Sequence, residues 1–377
     1  MGALTGQGRA IRVAGTILLF TVLATLVFSL AGFFFPEERV ISPRIDPVVS
    51  GQAPLIVTTT YPFQDRTATV SVTVNGSVYE AAKRADKSVT VIGNISENTW
   101  IPESYRAMIN DPAQEPLYTD LLTVFREIRV DENLDNDEYL ELIAVYVQSL
   151  GYETLEETPA KFPVETVVDQ AGDCDDKSLL LAGLLSREDY SVALLSFGPE
   201  KHMAVGIESE ECPYGNTGYL FLETTNITYI GVVSGSLDNG RPIESEPVVI
   251  PVGNGTKTYT RCAETRYIED MRVQSRLKAE EMEGVIQKME TALAAERQEI
   301  LAMEKRLQGL KNTGNIREYN TLVTTHNAKV SAYNTALQDY HDLFARYETN
   351  VNIYNFIISH EFDRKGVFSF VKAAMPS

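Results

Sequence analysis

The chain has 377 residues, 44% of them apolar, which gives room for two or three domains with real cores and excludes a disordered chain. Its 52 Asp and Glu against 33 Lys and Arg give a formal charge of −19. That charge repels phosphate backbones and anionic lipid surfaces, and no nucleic-acid partner is expected.

Val13 to Phe35, VAGTILLFTVLATLVFSLAGFFF, is a run of 23 uncharged, almost wholly apolar residues, long enough to cross a bilayer as one helix. Arg9 and Arg12 precede it. A short basic start before a long apolar run predicts an uncleaved signal-anchor at 13–35, with residues 1–12 as a cytoplasmic tail. The protein would be a single-pass protein of the cell membrane, the bulk of its chain extracytoplasmic. Arg39 and Arg44 follow on the other side, so the Lys/Arg balance does not itself set the orientation. The alternative is a cleaved signal peptide, for which Ser29-Leu30-Ala31 supplies a small-x-small pattern. The sequons at Asn75, Asn94, Asn226 and Asn254 are compatible with export.

Residues 36–115 read as a Pro- and Gly-rich linker followed by a small β element. In RTATVSVTVNGSVYE, Ala68, Val70, Val72 and Val74 alternate with Thr67, Thr69, Ser71 and Thr73, and the run ends in Asn75-Gly76. The pattern predicts a strand entering a hairpin turn. Residues 116–260 begin with helical patterns in LLTVFREI and YLELIAVYVQSL. A helix from Asp175 to about Arg187 comes next, then strands at 191–197, 202–208 and 218–224. Helices followed by a strand meander predict an α+β domain.

Beyond Cys262, Met282, Ile286, Met289, Leu293, Ile300, Met303, Leu307 and Leu310 step by fours and threes, with Glu296 at the missing position. That is a heptad seam. After a break at KNTGN a second seam runs through Tyr319, Val323, His326, Val330, Tyr333, Leu337, Tyr340, Phe344, Tyr347, Val351, Tyr354 and Ile358. Two seams of similar length predict an antiparallel coiled-coil hairpin over 261–360, a surface on which a protein partner is expected, followed by a tail at 361–377.

The chemistry-bearing residues are few. In AGDCDDKSLLLAGLL, Cys174 stands before the apolar run rather than inside it, where a helix start favours an anion and predicts a depressed thiol pKa. Asp173, Asp175 and Asp176 beside it also suit helix capping. Three of the four histidines (326, 341 and 360) lie in the coiled-coil region, which leaves His202 as the base for Cys174. Matching Met203 with Leu222 and Val205 with Leu220 across two antiparallel strands places Glu223 opposite His202, both on the face away from that apolar set. Gln170 and the Cys174 backbone N–H are the oxyanion candidates. Cys212 and Cys262 are a candidate disulfide, leaving Cys174 as the odd thiol.

The blocks GDCDDKSLLLAGLL, KHMAVGI and YLFLETT, whose Cys174, His202 and Glu223 are 28 and then 21 residues apart, resemble the cysteine, histidine and acid blocks of the transglutaminase-like superfamily. FPVETVVDQAGDCDD is most similar to its archaeal and bacterial cysteine-proteinase-like branch. The likeness spans roughly Leu117 to Ile227. It implies a papain-like α+β core in which Cys174 is the nucleophile, His202 the base and Glu223 the orienting acid. The family usually carries Asp-Pro-Thr where this chain has Glu223-Thr224-Thr225. No cofactor is expected. Calcium is the one alternative, since some bacterial relatives hold it with acids beside the cysteine and Asp131, Asn133 and Asp135 alternate nearby, without the glycine and terminal glutamate of an EF-hand loop. The implied activity is that of a membrane-anchored cysteine peptidase or amidase acting on protein or cell-envelope amides. A cross-linking transglutaminase and a non-catalytic scaffold that presents the coiled-coil arm are the alternatives.

Overall fold

A computed structural model describes residues 21, 38–46, 51–153, 158–233 and 242–374. Apart from Thr21, the apolar segment 13–35 lies outside the described residues, and with it the expected anchor and its cleavage alternative. Among the described residues, no helix is long and apolar enough to cross a membrane.

The architecture is α+β with two long helices after the body. Strand β1 (Arg39–Ile41) is followed by an antiparallel hairpin of β2 (Leu55–Phe63) and β3 (Arg66–Val74). Ala68, Val70, Val72 and Val74 are buried, and Thr60–Thr69 and Thr58–Ser71 hydroxyl pairs lie on the outer face. The hairpin turn, however, precedes β3, at Gln64-Asp65, and Asn75-Gly76 starts helix α1 (Gly76–Arg84). Asn75 caps that helix, its side chain accepting from the Ser77 N–H. Gly76 is there for a close approach: a Cβ would lie 2.2 Å from the Ala53 carbonyl oxygen.

Next come β4 (Thr90–Ile92), which pairs with β1, and helices α2 (Glu97–Ile109), α3 (Glu115–Asp131) and α4 (Asn136–Ser149). The β2–β3 hairpin is not a separate element ending at 115. Val57, Tyr61, Phe63, Val70 and Val72 share one core with Leu121, Phe125 and Tyr146, and Tyr146 meets Tyr61 and Phe125 edge-on. The expected partition into 36–115 and 116–260 therefore gives way to a single core.

Short parallel strands β5 (Gly151–Tyr152) and β6 (Ala171–Gly172) flank α5 (Pro163–Asp169) and lead into α6 (Cys174–Arg187). Ser178 to Leu185 of α6 are all fully buried. A helix apolar around its whole circumference has to lie at the centre of the body. Strands β7 (Ser191–Phe197), β8 (His202–Glu208), β9 (Tyr219–Leu222) and β10 (Val248–Asn254) form an antiparallel sheet in the order β10-β7-β8-β9. Leu194, Met203, Val205, Ile207, Leu220 and Leu222 join the core around α6, whereas Leu195, Phe197, Ala204 and Phe221 form a smaller cluster on the other face.

Helices α7 (Cys262–Thr313) and α8 (Ile316–Ser359) run antiparallel, as the cross-pairs Arg306–Glu318, Lys329–Glu299 and Tyr340–Glu290 show. Gly314, at φ 74°, ends α7 in the left-handed region and Asn315 caps α8. Ile286, Leu293 and Ile300 are buried in the seam, flanked by half-buried Met282, Met289, Glu296, Met303, Leu307 and Leu310. The second seam holds from Tyr319 to Tyr347 and then rotates: Asn350, Ile353 and Ile357 are buried, while Ile358 is 42% exposed. A helix of 3.6 residues per turn drifts against a 3.5 repeat. At the root the drift is resolved by a different neighbour, α9 (Arg364–Ala374), whose Val367 and Val371 pack with Ile268, Met271, Ile353 and Ile357. The expected tail at 361–377 is thus largely a helix of the arm root. A disulfide joins Cys212, between β8 and β9, to Cys262, the first residue of α7, with their Cα atoms 6.5 Å apart.

Candidate active site

Asp173 is the N-cap of α6 and exchanges side-chain-to-backbone hydrogen bonds with Asp176, a capping box that presents Cys174 at the first helical position. The Cys174 sulfur lies 3.9 Å from the Lys201 carbonyl oxygen and receives the Met203 N–H, so it abuts the backbone on both sides of His202. The first turn is tied to the residues after β9: the Thr224 hydroxyl donates to the Cys174 carbonyl at 3.4 Å and meets the Ser178 hydroxyl at 3.1 Å. Cys174 is half-buried and free of any disulfide.

His202 opens β8, and its imidazole stacks on Phe197, the opposite residue of β7. Its Nε2 is 3.3 Å from Glu223 Oε2, though off the line that a hydrogen bond requires. The other carboxylate oxygen of Glu223 accepts the Thr224 N–H, the Thr225 N–H and the Thr225 hydroxyl at 2.9, 3.0 and 2.9 Å. Burial opposes the charge of Glu223, yet the His202 imidazole beside it and donation from Thr225 outweigh it and hold the carboxyl below its ordinary range. The pairing of β8 with β9 differs from expectation by two residues: Val205 faces Leu222 and Ile207 faces Leu220. A shift of two preserves which face each side chain takes, so Glu223 still reaches His202, from just beyond the end of β9. Both side chains are buried, at 5% and 1% exposure, rather than clear of the core.

The electrostatics of the thiol run against the expected depression. Burial, then the charge of Asp175, with Asp173 and Glu223 adding, push the Cys174 thiol up to about 12 against the opposing Met203 N–H. Burial and a hydrogen bond with Asp173 raise Asp175 well above the ordinary carboxylate range, and burial followed by Asp173 raises Asp176 to about 6. Tyr105 of α2, which no sequence pattern signalled, is raised by burial first and then by the charges of Asp175, Cys174 and Asp173.

Oxygens of Asp173, Asp175 and Asp176 all lie within 4.8 Å of one another, close enough to share a cation, although Asp173 and Asp176 already serve as each other's capping partners. Asp131, Asn133 and Asp135 do not form a ligand loop: Asp131 ends α3, Asn133 takes φ 51° and Asp135 caps α4. Gln170, the side-chain oxyanion candidate, has left-handed backbone (φ 53°) and spends both amide hydrogens on β2, at the Thr58 carbonyl and the Thr59 hydroxyl. The Cys174 N–H remains the better-placed candidate, because the first N–H groups of a helix have no intrahelical acceptor.

Lys177, one turn after the cysteine, is fully buried and donates to the carbonyls of Gln148, Leu150 and Thr225. Gln148 donates to the Glu223 carbonyl at 2.8 Å. A lysine and a glutamine carry no signal of such roles in sequence. No family model, curated protein or solved structure matches the chain.

Proposed function

We propose that the chain is a thiol acyl-transfer enzyme of transglutaminase-like type, a cysteine peptidase or amidase acting on protein or cell-envelope amides from the outer side of a membrane that anchors it through 13–35. The observation that carries the reading is the Glu223–His202 pair, whose histidine stands between Lys201 and Met203, the residues whose backbone meets the Cys174 sulfur, with one carboxylate oxygen fully engaged by threonine donors and the other left for the imidazole. Glu223 facing Nε2 leaves Nδ1 to take the thiol proton. The thiol is neutral at rest, so proton transfer to His202 accompanies attack of sulfur on the amide carbon. The imidazolium then protonates the departing amine, and water, activated by the same imidazole, cleaves the thioester. Glu223 holds the ring in orientation and stabilises its charge while the proton resides there.

The raised thiol favours a second reading, a non-catalytic scaffold that carries the arm. A peptide-like electrophile separates the two. Under the enzyme reading it labels Cys174 in the full chain at neutral pH, and both Cys174→Ala and His202→Ala abolish or strongly slow that labelling. Labelling that proceeds at the same rate without His202 overturns the enzyme reading and leaves the scaffold.

A further inference from the structure

The loop that follows Glu223 is held by the same residues that join the body to the arm. Gln148, buried near the end of α4, donates from one amide nitrogen to the Glu223 carbonyl at 2.8 Å and to the Thr228 carbonyl at 3.1 Å. One side chain thereby closes both ends of the 223–228 loop. The next residue, Tyr229, is buried at the arm root with Ile268, Met271, Ile353 and Ile357. Its hydroxyl reaches the carbonyls of Ile357 and His360 at 3.4 and 3.1 Å. The Ile357 carbonyl also takes the C-cap N–H of His360 at 3.3 Å, and Tyr229 adds a second donor at this helix end, so the residue after the acid's loop helps cap the arm.

Two turns earlier on α4, Glu141 accepts Arg364, whose other nitrogen reaches Glu264 of α7. Helix α4 thus touches the arm at Glu141 and the acid's loop at Gln148.

We propose that Gln148 and Tyr229 are positioning residues through which the arm root sets Glu223 against His202; this rests on the reading of Cys174, His202 and Glu223 as a catalytic set. The distance between Nε2 and Oε2 depends on where the Glu223 backbone sits, and a displacement of about 1 Å costs a catalytic constellation up to ~100-fold in rate. Tyr229→Phe removes the hydroxyl's hold on the end of α8 while the ring stays packed, loosening the loop's tie to the arm without opening a cavity.

The test is the rate at which the same peptide-like electrophile labels Cys174 in the full chain, with thermal melts as a check on the fold. Tyr229→Phe should slow labelling by roughly tenfold or more while the melt stays close to wild type. In a Glu223→Gln background the same change should add no further loss, because an acid already weakened has nothing left to position. Gln148→Met, of similar length, should behave likewise; if it does not fold, Tyr229→Phe decides alone. Wild-type rates in Tyr229→Phe, or an equal loss in both backgrounds, overturn the proposal while His202-dependent labelling leaves the catalytic reading standing. Labelling independent of His202 overturns both.

Discussion

At Cys174 two local fields oppose each other, and their sizes decide the state of the thiol. A helix N-terminus favours an anion by ~0.3–1 kcal/mol, less than one unit of pKa. Burial and the neighbouring acids do more, and the thiol goes up to about 12. In His202→Ala protein, iodoacetamide labelling of Cys174 should therefore stay low at neutral pH and climb only well above the free-cysteine value of ~8.5. Asp175→Asn, which removes the largest charge acting on the sulfur, should move that climb to lower pH; a curve unmoved by the change would show that Asp175 does not act on the thiol. Asp176 makes a separate prediction. Its folded-state value is raised from 3.8 to about 6, so the fold favours the protonated acid. That contribution is present below 3.8 and lost as pH rises through about 6. Melts of Asp176→Asn should show a flatter dependence of stability on pH across that window. The juxtaposition of Cys174, His202 and Glu223 was legible because cysteine and histidine are scarce here and strand alternation puts Glu223 on the face of His202. The Thr225 donors, Lys177, Gln148 and Tyr105 were not, because common polar and aromatic residues acquire such roles only through contacts distant in sequence.

Elements were legible where one periodicity governs a whole segment, and illegible where two explanations fit one dipeptide. Alternation revealed β3, and heptads revealed α7 and α8 with their break at KNTGN. Asn-Gly after β3 suited a hairpin or a helix cap equally, and the helical SVYEAAKR after it decided for the cap. Strand β10 was missed, its Val248–Asn254 stretch broken by Pro251 and Gly253, where its pairing with β7 also shifts. The rotated end of the second seam can be tested directly. Ile357→Ala, at a fully buried position, should cost ~2–5 kcal/mol, whereas Ile358→Ala, at 42% exposure, should stay within about 0.5 kcal/mol. Equal losses in thermal or denaturant melts would restore the unrotated seam. Leu293→Asp buries a charge midway along the arm and should lower its stability by a few kcal/mol, roughly 2–7 by the cost of an unpaired polar group, visible as lost helical circular dichroism on heating.

The whole molecule is joined at the arm root by links that span long stretches of sequence, which is why the heptad seams beyond Cys262 marked the arm but not how it is fixed. The Cys212–Cys262 disulfide closes a separation of 50 residues, worth about 4 kcal/mol in the chain-entropy account. Arg364 and Glu141 are 223 residues apart. Arg364 is buried between Glu141 and Glu264, and Tyr259 donates to the same oxygen of Glu141 at 2.6 Å. A buried pair is a weak source of net stability while intact, but removing one partner strands the other charge at a cost of ~3–5 kcal/mol. Arg364→Met should destabilise the full chain by about that amount, with a loss that depends on pH. Burial already raises Glu141 above its ordinary value despite the opposing guanidinium. Without Arg364 it must rise further, so the fold tolerates Glu141 protonated and pays increasingly as pH climbs and the carboxyl tends to ionise. Melts of Arg364→Met and wild type should accordingly converge toward acid pH and separate toward neutral. A gap of constant size across that range would mean that Arg364 contributes packing alone, and that charge pairing is not what fixes the arm to the body.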